Sequence, residues 1–152
     1  MDHDGLRPIH VAVRFGHLDI VKYFIEEVDD IAQDPIDNTG QRPIHYAAAN
    51  GHLEIMKYFI EKVDGIEKEP KTFLGFYPIH WSASYGGLEA TKYLIARVNQ
   101  TQPKNNYGKT PLDFARENIR IDVVKFLECY YSGNLSKKKF NKKIFDFFIF
   151  QN

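Results

Sequence analysis

At 152 residues the chain holds one domain and is too short for two ordinary ones. A hydrophobic fraction of 43% and an aromatic fraction of 14% exclude a disordered polymer. The formal net charge of +0 hides an asymmetry: residues 134–152 carry five lysines against one aspartate, a tail of +4, so residues 1–133 stand at −4 and give no reason to expect a nucleic-acid groove.

Met1 to Gly5 has neither a basic region nor an apolar run, so no secretory signal is expected. From Gly5 the chain begins to repeat itself. Gly5-Leu6-Arg7-Pro8-Ile9-His10 returns as Gly40-Gln41-Arg42-Pro43-Ile44-His45, again as Gly75-Phe76-Tyr77-Pro78-Ile79-His80, and in weaker form as Gly108-Lys109-Thr110-Pro111-Leu112-Asp113. The glycines stand 35, 35 and 33 residues apart. A second block follows each time, beginning at Gly16, Gly51, Gly86 and Ile119 and running through Val21-Lys22-Tyr23-Phe24-Ile25 or its counterpart. Met1 falls just before a repeat glycine, which suggests a stack that continues upstream in a longer protein.

Each unit predicts the same succession of elements. Pro8, Pro43, Pro78 and Pro111 stand where a helix begins, because a missing N–H costs nothing in the first turn and a fixed φ helps. The run after each proline, Ile44 to Asn50 for example, is alanine-rich and gives about two helical turns. Gly16, Gly51 and Gly86 then reverse the chain. A second helix follows with apolar residues at helical spacing: Leu53, Met56, Phe59 and Ile60, with Tyr58 off the stripe by one. Val63 to Leu74 read as a polar, extended loop. One such unit cannot cover its own apolar face, whereas stacked neighbours can, and roughly three or more are needed for stability. The predicted fold is all-α, a solenoid with units at about 5–39, 40–74, 75–107 and 108–133, followed by a basic, aromatic tail over 134–152.

The G-x-x-P-[IL]-H core, followed by Ala-Ala, Gly-His and a Val/Ile-rich second helix, resembles the ankyrin repeat family over residues 2 to about 131. The resemblance implies an ankyrin-repeat solenoid of helix-turn-helix units joined by long hairpin-like loops. It also implies that partners dock on the concave side, formed by loop tips and first helices. Several departures carry expectations of their own. The family's threonine before proline is replaced by Arg7, Arg42 and Tyr77 and survives only as Thr110, so His10, His45 and His80 must find partners other than that hydroxyl. The family's glycine after the second helix is missing at Val28, Val63 and Val98, and the first two loops exceed the common 33-residue unit by two residues, so less regular hairpins are expected. The fourth unit has Asp113 for the histidine and Ile119 for the inter-helix glycine.

Carried onto this chain, the family's docking positions flank each loop glycine and precede each inter-helix turn. They name Arg14 and Phe15 in the first unit, Gln41 and Asn50 in the second, Phe73, Leu74, Phe76 and Tyr85 in the third, and Tyr107 and Lys109 in the fourth. The third unit is conspicuously apolar. Loop tips normally face water, so aromatics there ask for a partner, unless Phe73 or Leu74 folds back onto the next repeat. Tyr46, Trp81 and Phe114 share one register inside the first helices, where packing between repeats is expected.

Other constellations point away from chemistry. The histidines recur with the repeat and form a ladder, whereas zinc needs three or four ligands converging on one point. Gly108-Lys109-Thr110 looks like the end of a phosphate loop, but Pro103 occupies the position of its upstream glycine, so it is read as a hairpin tip. Cys129 is alone, which excludes an internal disulfide framework, favours a reducing compartment and suits a core position on the last helix. The longest apolar stretch, Ile144 to Phe150, is seven residues interrupted by Asp146, against the roughly 20 that span a bilayer. For the tail, a nuclear import signal, an anionic-membrane contact, a cap on the fourth unit and an unselected extension all stay open. The expected function is that of an adaptor or scaffold binding another protein, without catalysis, cofactor, metal or nucleic acid. It is expected as a monomer or part of a longer array, in the cytoplasm or nucleus. The rival reading is a substrate-recruiting or targeting module of a larger signalling or ubiquitin-ligase-type assembly, addressed by its tail.

Overall fold

A proline at the first helical position forces the residue before it into extended backbone, and every unit uses this to start its first helix. Arg7, Arg42, Tyr77 and Thr110 all have ψ near 160°, between 159° and 164°. The computed structural model describes residues 4–28, 34–65, 67–98 and 102–133, and the tail expectations for 134–152 lie outside the described residues. The elements are α1 (Pro8–Arg14), α2 (Leu18–Glu26), α3 (Pro43–Asn50), α4 (Leu53–Lys62), α5 (Pro78–Trp81) continuing into a π-helical turn (Ser82–Gly86), α6 (Leu88–Val98), α7 (Pro111–Glu117) and α8 (Ile121–Tyr131). Among the described residues none is in a strand, and no helix is long and apolar enough to cross a membrane.

The histidines find the partners that the missing threonines would have offered, and they find them on the backbone. The N–H groups of Arg7, Arg42 and Tyr77 each donate to Nδ1 of the histidine three residues on, at 3.0 Å. That acceptor role leaves the proton on Nε2, which donates outward. His10 reaches the Pro35 carbonyl at 3.0 Å, His45 the Pro70 carbonyl at 3.1 Å, and His80 the Lys109 carbonyl at 3.3 Å. All three rings are buried. In α7 the same cap is made by Asp113, whose Oδ2 accepts from Thr110 N at 2.8 Å and Thr110 Oγ1 at 2.7 Å. Each first helix is thus tied at its N-terminus, and in the first three units the tie extends to the loop that follows.

Three of the first helices end alike. Gly16, Gly51 and Ile119 take positive φ, and the next residue's N–H reaches back five residues, from His17 to Ala12, His52 to Ala47 and Arg120 to Ala115. Repeat three departs from the expected reversal at Gly86. There the helix widens into the π turn, Gly87 N–H reaches the Ser82 carbonyl at 2.9 Å, and Gly87 carries the positive φ of 84°. Gly86 serves a different purpose: a Cβ on it would collide with the Ala48 carbonyl oxygen of α3, so the backbones of repeats two and three meet directly.

First helices pack on first helices and second helices on second helices, giving two layers with one continuous core from Ile9 to Tyr130. Tyr58, off the expected stripe, is buried all the same, because α4 packs sideways on α2 as well as inward on α3. Cys129 is half-buried, short of the core position expected for it.

Candidate functional site

Among the described residues the loop tips are tight turns with a shared anchor three residues before Gly40, Gly75 and Gly108. Asp37 Oδ1 accepts the N–H groups of Thr39 and Gln41, both at 2.8 Å, and Asn105 Oδ1 accepts those of Tyr107 and Lys109, both at 3.0 Å. At the equivalent position Thr72 Oγ1 accepts from Phe76 N at 3.1 Å. Burial pushes the Asp37 carboxyl up, but hydrogen bonds from Tyr46, Thr39 and Gln41 outweigh it and leave the group below its ordinary range. These three anchors escaped the sequence reading, although a short polar residue at constant spacing before a turn glycine is itself a signal.

The hairpins are more regular at their tips than the longer loops suggested. Pro35, Pro70 and Pro103 all stand five residues before their loop glycine, so the two extra residues fall earlier, between second helix and proline. Neighbouring tips are joined backbone to backbone. Asn38 N–H donates to Asp4 O at 3.1 Å, Phe73 N–H to Thr39 O at 3.2 Å, and Asn106 N–H to Leu74 O at 3.0 Å. Asn106 Nδ2 adds a bond to Phe73 O at 3.1 Å.

On this framework the sequence-predicted docking residues fall into two groups. Phe73, Leu74, Tyr85 and Tyr107 are between 48% and 66% exposed, as is Phe15, and Arg14 and Asn50 are exposed as well. The Phe73 ring leans over Gly40 of the preceding tip yet keeps most of its surface in solvent. The second group is engaged within the molecule. Phe76 is half-buried, with ring centroids 5.6 Å from Trp81 and 5.4 Å from Phe114, so it bridges the third and fourth units. Lys109 pairs with Glu117 at 2.7 Å and lies over the Phe114 ring, while Gln41 bonds Thr39 Oγ1 at 3.0 Å.

The third unit therefore presents an aromatic line along its first helix. It runs from Phe76 to Trp81 and on to Tyr85, which stacks on Trp81 at 6.3 Å. Tyr46 and Phe114 do pack between repeats, Tyr46 against His10 at 5.5 Å and Phe114 against His80 at 5.8 Å. Trp81, expected beside them in that role, makes its ring contacts within its own repeat, to Phe76 and Tyr85, and forms the link of this line.

A family model described as ankyrin repeats (3 copies) matches residues 1–72 and 66–138. A comparison with curated proteins finds no match. The proline-started helix, the histidine tie, the left-handed reversal and the linked loop tips recur along the stretch that the model covers, and the chain belongs to the ankyrin repeat family.

Proposed function

We propose that the chain is a non-catalytic adaptor that holds a partner protein against the face shared by its loop tips and first helices, with the third repeat as the centre of contact. Ankyrin repeats as a family are protein-interaction modules, and the adaptor reading builds on that. The observation that carries it is the placement of Phe73, Leu74, Tyr85 and Tyr107. Four large apolar side chains stand in solvent on turns and a helix end whose backbones are fixed by hydrogen bonds. Rigid, exposed aromatic anchors on a preorganised frame are the composition of a binding hot spot. Phe76 and Trp81 support it from below.

The test compares capture of native partners by the intact chain with capture by a Phe73→Ala, Tyr85→Ala version. Loss of two anchors is expected to weaken binding at least about tenfold, some 1.4 kcal/mol or more, with the helical circular dichroism unchanged. Undiminished capture would sink the proposal. Phe76 is left intact, since its removal disturbs the packing between repeats three and four.

A further inference from the structure

We propose a second interaction surface, on the side of α1 and α2 that faces away from repeat two, whose occupant is an additional ankyrin-type repeat carrying a glutamate near the end of its second helix. The argument comes from comparing positions that the repeat makes equivalent. Tyr23, Tyr58 and Tyr93 occupy the same place in successive second helices, as do Ile20, Ile55 and Ala90. In repeats two and three this side is covered by the preceding unit: Tyr58 and Tyr93 are 9% and 1% exposed, and Ile55 and Ala90 are both 2%. In repeat one Tyr23 is 58% exposed and Ile20 41%. Pro8 and Val11 are exposed too, where Pro43, Pro78 and Pro111 are buried.

The covered sites also specify what covers them. Tyr58 OH donates to Glu26 Oε1 of the preceding helix at 2.8 Å, and Tyr93 OH donates to Glu61 Oε1 at 2.8 Å. Glu26 and Glu61 are themselves equivalent positions. At the next junction both members change together: Ala96 stands in place of the glutamate and Phe126 in place of the tyrosine, so the hydroxyl and its acceptor vanish as a pair. Tyr23 keeps its hydroxyl, and among the described residues that hydroxyl meets no carboxylate. A second copy of this chain stacked head to tail does not match, since Cys129 occupies the glutamate position of α8. The surface therefore reads as the receiving half of a tyrosine–glutamate junction between repeats. It is independent of the concave-face reading above.

The test supplies the occupant at high local concentration. A copy of residues 40–74, which carries Glu61, is joined directly ahead of Gly5 in the full chain. The expected result is a thermal midpoint higher by several degrees, with the α2 amides slowed at least tenfold in hydrogen exchange. Glu→Gln at the copied Glu61 and Tyr23→Phe should each remove part of that gain, and the two together no more than either alone. An unchanged midpoint and exchange, or losses that simply add, would overturn the proposal. Sedimentation of the ungrafted chain checks for self-covering: dimerisation abolished by Tyr23→Glu would equally overturn it.

Discussion

A buried neutral histidine is an unusual fastener, because it holds only while it stays uncharged. His45 accepts at Nδ1 and donates from Nε2 to the Pro70 and Phe76 carbonyls, so a second ring proton would lose the Arg42 N–H and leave a charge in the core. Burial, only partly offset by those backbone bonds, lowers its pKa to about 4, and burial lowers His80 as well. Because the folded value lies below the unfolded one, the unfolded chain takes up more protons in the interval between them. Stability is therefore full above about pH 6.5 and is lost as the pH falls toward 4, by roughly 3 kcal/mol for His45 alone. Thermal unfolding followed across that range checks this; a midpoint flat from pH 7 to 4 would remove the histidines as fasteners. Ile119 is the converse case, a β-branched residue at φ 55° where its relatives use glycine, at a cost of about 1–2 kcal/mol.

At the scale of elements, the π-helical turn of repeat three is where local and tertiary preferences meet. Gly86 lies against the Ala48 carbonyl, and no side chain fits between them. Gly86→Ala is expected to destabilise the fold by about 2–3 kcal/mol through forced separation of α3 from the turn. A denaturant midpoint lowered with an unchanged slope is the measurement, and a midpoint equal to that of the unaltered chain would show that the contact gives way freely. Much of the element plan was legible in advance. The prolines marked four helix starts, and the glycines at 16 and 51 marked two reversals, because both residues act through their own backbone. The shift from Gly86 to Gly87 was not legible, since it depends on a carbonyl from another repeat. For the same reason Phe76 read as a free docking residue: nothing in its own loop announces Trp81 and Phe114 beside it. Tyr58 looked misplaced on a single amphipathic stripe, whereas the second helices of repeats two and three bury two sides.

Taken whole, the molecule is a one-dimensional stack in which each repeat draws stability from its neighbours. Repeats two and three are flanked on both sides, while repeat one leaves Ile20 and Tyr23 in solvent. In the chain as it stands, amides of α1 and α2 are expected to exchange at least about tenfold faster than those of α3 and α4, a difference of some 1.4 kcal/mol in local opening. Mass-resolved hydrogen exchange reads this directly, and equal protection in both pairs would mean the array opens as one unit. The tips behave differently from the helices, for they are laced to one another from Asp4 to Asn106 chiefly through main-chain groups, with the Asn106 side-chain amide adding one bond. None of those bonds runs through the side chain of Phe73 or Tyr107. Under the function proposed above, exchanging one residue for another at Phe73 or Tyr107 would thus change which protein is recognised while the frame beneath stays put. A ligand settling there finds the anchors already spaced and need only still their rotamers, about 0.5–1.5 kcal/mol apiece.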